Sequence, residues 1–152
     1  MQNIKFRAFS LRINDWVYGY YAKFRNFKNE VYECIIPMAK ETGEAYMENI
    51  TSFAEGSLGQ FTGMYDKNGK EIYENDIVRI LYTDWTSKSD NDQRTLDEYL
   101  RDIAKIGVIE WDKFYPQYHI HFMDKDNYGS LNYGKYGYIE VIGNVFQNKD
   151  LL

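Results

Sequence analysis

Cysteine, proline and histidine are scarce in this sequence, and long apolar runs are missing. Cys34 is the single cysteine among 152 residues, which excludes an internal disulfide. No segment approaches the about 20 consecutive apolar residues that a membrane-spanning helix needs. Residues 1–15 are mixed and charged, unlike a secretory signal. We therefore predict an intracellular protein of a reducing compartment, in which Cys34 is a buried apolar side chain rather than a nucleophile.

Motifs that would indicate catalysis are missing as well. The segment 129–136 approaches the phosphate-binding P-loop, but Tyr136 stands where a Ser or Thr should hold magnesium. A predicted strand follows this segment, whereas phosphate binding needs the N-terminus of a helix. No nucleophile elbow is present. The sequence therefore predicts no catalytic residues and no cofactor.

The two histidines, His119 and His121, lie two residues apart on a predicted strand and so share one face, about 7 Å apart. They could supply two metal ligands, with Asp124 or Glu110 as a third. No cysteine or further histidine completes a zinc set. We therefore interpret the pair as outer-face residues, predict no metal, and rank a metal-dependent hydrolase last among three functional hypotheses.

Aromatic residues are abundant in the sequence, and its charges are unevenly distributed. Aromatics make up 18% of it, with 15 Tyr and 9 Phe, and these side chains suit half-buried strands. The net charge of −5 argues against broad nucleic-acid binding. Residues 1–28 nevertheless carry six Lys or Arg and one Asp. Strands with a basic solvent face explain this excess, and a basic patch for an acidic partner is the alternative.

Apolar alternation predicts a mainly β fold. The predicted strands are 4–8, 16–27, 31–37, 45–50, 77–83, 106–111, 117–123 and 138–142, with a long loop at 124–137. Strands of this length and spacing suit small barrels. We predict two packed β subdomains, at 1–59 and 60–152, of which the second is an SH3-like small barrel.

One helix is predicted to interrupt the strands. Four residues are spaced to lie on one helical face: Leu96, Tyr99, Leu100 and Ile103. Thr95 and Glu98 form a plausible capping box at its start. The sequence therefore predicts a short amphipathic helix near 95–105.

The segment 60–80, QFTGMYDKNGKEIYENDIVRI, is the most informative part of the chain. Its Asn68-Gly69 pair is a strong turn signal, because both residues tolerate positive φ. A second turn precedes the strand at 77, and its middle residue, Asn75, is predicted to be left-handed. The segment predicts a hairpin that runs into a strand. It contains no motif that indicates catalysis.

Three blocks of this sequence resemble the YopX family, small proteins of bacteriophages and prophages. They are Ile4–Ala8, the run from Gln60 to Val78, and Glu140–Phe146. The resemblance covers the whole chain, 1–152, as a single YopX-like domain. Two positions depart from the family pattern, since Asn75 stands where Gly is usual and Lys149 where Pro is frequent. Both fall in turns.

The resemblance implies a phage or prophage accessory protein in the cytoplasm of a bacterial host. The family has no established activity, so the resemblance supplies no catalytic residues. The candidate interaction surface comes from the residues instead. It joins basic and aromatic side chains of the first strands to tyrosines of the predicted loop: Lys5, Arg7, Tyr21, Lys23, Arg25, Phe27, Tyr128, Tyr133 and Tyr136.

Two hypotheses follow from that surface. The first is a non-enzymatic module that binds a macromolecule, either a host or phage protein or a second copy of itself. The second is binding of single-stranded nucleic acid through the N-terminal basic and aromatic strands, which the acidic remainder of the chain disfavours. Neither involves a membrane.

Overall fold

A computed structural model describes residues 4–39, 42, 44–46, 49–82, 93–95, 98–99, 103–123, 127–131 and 136–152 of the chain. The mainly β prediction is confirmed. The strands of the described residues are β1 (Phe6–Ser10), β2 (Asp15–Arg25), β3 (Val31–Pro37), β4 (Gly59–Tyr65), β5 (Glu71–Tyr73), β6 (Asp76–Tyr82), β7 (Lys105–Trp111), β8 (Tyr118–Phe122), β9 (Asn127–Ser130) and β10 (Tyr136–Asn144), and a 3-10 helix spans Lys149–Leu151.

The strands form two five-stranded antiparallel sheets, of order β3-β2-β1-β4-β5 and β10-β6-β7-β8-β9. The chain divides into two compact units, Met1–Phe61 and Thr62–Leu152. Strand β4 begins in the first unit, where it pairs with β1, and ends in the second, where it pairs with β5. The packing of two subdomains around a shared core stays a prediction.

The first unit has a small core on one face of β1, β2 and β3. Ala8 and Ile35 are completely buried there. The segment after residue 49 joins β3 at its outer edge, where Thr51 exchanges two backbone hydrogen bonds with Ile35. The Thr51 hydroxyl also lies 2.9 Å from that of Ser10. Cys34 is buried as predicted, and burial raises the pKa of its thiol.

The second unit buries a larger core on one face of its sheet. Branched and aromatic side chains from β6, β7, β8 and β10 meet there, joined by one from β5 and one that directly follows β9. The members are Ile72, Val78, Ile80, Ile109, Ile120, Phe122, Leu131, Ile139 and Val141. Gly107 lies in this face, where a Cβ atom would come within 2.5 Å of the Ile120 side chain. The strand needs glycine there for close packing.

Two carboxylates of the 60–80 segment are buried and structural. The Asp66 side chain accepts hydrogen bonds from the backbone N–H groups of Asn68, Lys70 and Val141. Asp76 accepts one from Tyr73 at 2.8 Å and has no exposed surface. The segment 60–80, called the family block below, therefore contains side chains that stabilise its turns. The predicted left-handed conformation of Asn75 is confirmed, with φ 67°.

The structure corrects several predicted boundaries. Strand β2 ends at Arg25 rather than at 27. The strand predicted at 45–50 is not formed at its described residues, because Ala45 makes only an isolated bridge, to Met38, and Tyr46, Asn49 and Ile50 lie outside strands. Strand β9 lies inside the predicted loop at 124–137, because the edge of β8 supplies it with hydrogen-bonding partners.

Much of the predicted helix near 95–105 lies outside the described residues. Glu98, Tyr99 and Ile103 are helical. The capping box is formed, because the Thr95 N–H donates to the Glu98 carboxylate at 2.8 Å and the Glu98 N–H donates back to the Thr95 hydroxyl at 3.3 Å.

Candidate functional site

The hairpin joining β2 and β3 carries exposed apolar side chains at its end. Phe24 is 50% exposed, Phe27 fully exposed, Val31 44% and Tyr32 45%. Phe24 lies opposite Tyr32, and their rings stack with centroids 5.7 Å apart and planes 18° apart. We call residues 23–33 the hairpin tip. Large apolar side chains concentrated at one exposed place are typical of interaction surfaces.

Asn26 holds the turn of the hairpin tip. Its side-chain oxygen accepts from the backbone N–H groups of Lys28 at 2.9 Å and Glu30 at 3.0 Å. Its amide donates to the Glu30 carboxylate at 2.7 Å, and the Tyr32 hydroxyl donates to the same carboxylate at 3.0 Å. Asn29 supplies the left-handed residue, with φ 65°. The tip is therefore fixed by its own sequence.

The cations of the hairpin tip have local partners. The Lys23 ammonium pairs with the Glu33 carboxylate across the two strands. This hydrogen bond raises the pKa of Lys23, and together with one from Tyr21 it lowers the pKa of Glu33. The Arg25 guanidinium donates to the Asn29 carbonyl at 3.2 Å. The charges of the tip are therefore mixed rather than uniformly basic.

The structure separates the basic residues predicted to act together. Arg7 lies opposite Tyr18, so strand alternation puts it on the other face of the sheet from Tyr21. Arg7 is only 6% exposed and lies over the Trp16 ring at 4.7 Å, while the Lys5 ammonium lies 5.0 Å from the Phe61 ring. Sequence periodicity could not reveal this division without the β1–β2 register.

Phe27 lies in the turn, beyond the end of β2, and not on the face of Tyr21. Tyr128 lies in β9, with its ring exposed. Tyr136 begins β10, opposite Tyr82, and Tyr133 lies outside the described residues. The predicted tyrosine surface is therefore described only at Tyr128.

Tyr128 packs over both histidines on the outer face of the second sheet. Its ring stacks on His121 at 4.5 Å and meets His119 edge-on at 4.7 Å. The two oxygens of Glu110 lie 3.4 Å from His119 Nε2 and 3.4 Å from His121 Nδ1. Glu110 thus bridges the two histidines beneath the tyrosine.

Among the described residues, no group of three or more histidine, cysteine, aspartate or glutamate side chains is arranged to hold a metal ion. Asp112 lies 3.6 Å from His119 Nδ1. The backbone N–H groups of Phe114 and Tyr115 lower the pKa of Asp112, so its carboxylate also organises the β7–β8 turn. Asp124, the other predicted ligand, lies outside the described residues.

Sequence reasoning named Phe27 but missed the other three exposed apolar members of the hairpin tip, Phe24, Val31 and Tyr32. The predicted antiparallel pairing of 16–27 with 31–37 could have revealed them, because it places Phe24 beside Tyr32. It also missed the exposed aromatics of the β7–β8 turn, Phe114 and Tyr115. Both turns follow a side chain that accepts local N–H groups, a pattern visible in the sequence.

Residues 5–152 match the model of the YopX protein family. A crystal structure of the protein EF1440 from Enterococcus faecalis is similar at 19% sequence identity, covering all of this chain and 99% of the other, with a TM-score of 0.47. No curated protein matches the sequence significantly. Among the described residues, no helix has the length and apolar character required to cross a membrane.

Proposed function

We propose that this chain, which belongs to the YopX family, is a non-enzymatic interaction module that binds a protein partner or a second copy of itself. The observation that carries the proposal is the hairpin tip, where four large apolar side chains are exposed within eleven residues. Exposing them to water is unfavourable unless another surface covers them. A protein surface suits them, because aromatic side chains dominate the buried centres of such interfaces.

The rigidity of the hairpin tip adds to this support. Its turn is held by Asn26, and the Tyr32 hydroxyl is anchored to Glu30. A contact surface that is already ordered loses less conformational entropy when it binds. The tip can therefore present Phe24 and Tyr32 as a preformed pair.

Nucleic-acid binding has less support. It requires free cations beside exposed rings, but Lys23 is paired with Glu33 and Arg7 is buried over Trp16. If nucleic acid is nevertheless the ligand, Lys23→Glu combined with Arg25→Glu abolishes binding, and affinity falls steeply with salt.

The proposal includes a finer description of the second unit and of the protein's setting. Strands β6 to β10 form an SH3-like small barrel. The strand order, in which the last strand, β10, pairs with the first, β6, and the two register shifts in that pair support this part of the proposal. Family resemblance supports a phage or prophage origin and a place in the cytoplasm of a bacterial host.

Affinity capture from a bacterial lysate tests the proposal, run with and without nuclease. Phe24→Ser combined with Phe27→Ser removes apolar area from the tip and keeps the Asn26 side chain that holds the turn. Phe114→Ser combined with Tyr115→Ser is the matched control, since it removes exposed rings from a hairpin turn of the second unit. We expect a nuclease-resistant partner, or a self-complex, that the tip variant loses and the control keeps.

Two results contradict the proposal. One is a protein that stays monomeric at every concentration and captures nothing. The other is recovery of nucleic acid, or of proteins that nuclease removes, which favours the second hypothesis.

A further inference from the structure

We infer that the hairpin tip binds a second copy of the chain by pairing β3 with β3 of the copy, antiparallel, around a two-fold axis at Tyr32. The inference rests on the proposed function and names the partner. It also identifies the bonds that form, which are backbone hydrogen bonds between two strand edges. Adding a strand to an open sheet edge is an established mode of recognition.

The first observation is that β3 is an edge strand whose outer side is open near the tip. Strand β3 pairs with β2 on one side only. Ile35 directs its N–H and C=O outward, to Thr51, so alternation directs those of Val31 and Glu33 outward too. In the described part of the chain, no residue bonds these outward groups of Val31 and Glu33. An unpaired edge of this kind accepts another strand.

The second observation is that the open segment allows one favourable antiparallel register between two copies. A two-fold axis at Tyr32 pairs Val31 with Glu33 of the copy, twice, and makes four hydrogen bonds from groups that are open. An axis at Glu33 opposes two like charges and requires Ile35, which Thr51 already occupies. An axis at Val31 requires a strand conformation at Asn29, whose φ is 65°.

The third observation is that the side chains complement themselves in this register. On one sheet face, the Phe24–Tyr32 stack meets the same stack of the copy, which forms a row of four rings. Aromatic cross-strand pairs stabilise sheets. On the other face the row runs Lys23, Glu33, then Val31 and Arg25 of the copy, so no two like charges lie directly opposite each other across a strand pair. Both faces therefore favour a second copy over an unrelated strand.

Sedimentation equilibrium of the full chain, from micromolar to submillimolar concentration, is the first test. We expect a monomer–dimer equilibrium. Glu33→Pro removes one outward N–H at an edge position that tolerates proline, and we expect it to weaken dimerisation at least tenfold. Glu33→Gln is its control, because it removes the charge and keeps the N–H. Tyr32→Ser interrupts the row of rings and should weaken dimerisation as well.

Cross-linking is the second test and remains informative if Glu33→Pro fails to fold. In this register the Tyr32 Cα atoms of the two copies lie about 4.5 Å apart, within reach of a disulfide. In a Cys34→Ser background, Tyr32→Cys should therefore form a disulfide dimer on mild oxidation much faster than Phe114→Cys, which is a more accessible position away from the axis.

Three results overturn the inference. They are a chain that is monomeric throughout the concentration range, a dimer that survives both Tyr32→Ser and Glu33→Pro, and equal cross-linking rates for Tyr32→Cys and Phe114→Cys. If the chain is monomeric but captures a protein through Phe24 and Phe27, the second-copy inference fails while the proposed function stands.

Discussion

The two units contain the same turn in two different settings. In the second unit, the turn of the family block runs from Asp66 to Lys70. The Asp66 N–H donates to the Lys70 carbonyl at 2.7 Å, and Oδ1 of Asp66 accepts from the N–H groups of Asn68 and Lys70. Gly69 is left-handed, with φ 78°.

The turn of the hairpin tip, in the first unit, repeats this pattern from Asn26 to Glu30. The Asn26 N–H donates to the Glu30 carbonyl at 3.0 Å, and Oδ1 of Asn26 accepts from Lys28 and Glu30. Asn29 takes the left-handed position that Gly69 holds in the other turn. Five residues therefore fold in the same way in both places.

The two turns differ in the partner of the second polar atom of the turn-forming side chain, which is Oδ2 in Asp66 and the amide nitrogen in Asn26. Oδ2 of Asp66 accepts from the backbone of Val141 in β10, and Asp66 is only 7% exposed. The corresponding amide of Asn26 turns to Glu30 and Tyr32, within its own hairpin. The same local turn is therefore bonded to a distant strand in the second unit, through the hydrogen bond between Asp66 and Val141, and bonded only within its own hairpin in the first.

The largest expected difference comes from removing the turn-forming side chain. Asp66→Ala deletes three hydrogen bonds to a buried carboxylate and should lower the free energy of unfolding by about 3 kcal/mol or more. Asn26→Ala deletes partly exposed bonds and should cost about 1 kcal/mol. Urea denaturation of both variants measures the difference.

Asp66→Asn is the control, because it keeps an oxygen for the turn but directs an amide at the Val141 N–H. Its loss should fall between those of the two alanine variants. Equal losses for Asp66→Ala and Asn26→Ala would show that the contact to β10 contributes nothing.

A smaller difference is expected at the left-handed position. A Cβ atom on Gly69 meets nothing within 4 Å, so Gly69→Ala costs only the backbone conformation, about 1 kcal/mol. Asn29→Gly should change stability by less than about 0.5 kcal/mol, because the relief of positive φ is offset by greater freedom of the unfolded chain. Thermal denaturation of the pair tests this. A neutral Gly69→Ala would contradict it.

The smallest effect concerns pH. Hydrogen bonds from Lys23 and Tyr21 hold the pKa of Glu33 below its ordinary value. A lowered carboxyl pKa contributes stability above the unfolded pKa of about 4.3 and loses it as pH falls through the folded pKa. Glu33→Gln should therefore flatten the acid limb of a stability–pH curve. By NMR titration, Lys23→Met should return the Glu33 pKa towards its ordinary value, and an unchanged pKa would contradict this assignment.

Features specified within a few residues were predictable. The left-handed Asn75 and the Thr95–Glu98 capping box both follow from short-range side-chain chemistry, and both are present. The SH3-like closure of the second unit and the function of the hairpin tip stay predictions.

Features that depend on a distant partner were not predictable. Strand β9 lacks apolar alternation and is a strand only because β8 pairs with it. The segment 45–50 was predicted as a strand, but of its described residues only Ala45 forms a bridge, to Met38. The sequence does not indicate which strand edges will be available to pair with another segment.

The sequence by itself determined the turns, the cap, the alternation of the strands and the family, since each is written in residues that are close along the chain. Tertiary structure alone decided that Arg7 is buried away from Tyr21 and that Asp66 is tied to β10. It also decided that, among the described residues, none pairs with the outer edge of β3 at Val31 and Glu33. The physical reason is strand register. A shift of one residue exchanges the two faces of a strand, and register is fixed by long-range pairing and by the core that it buries.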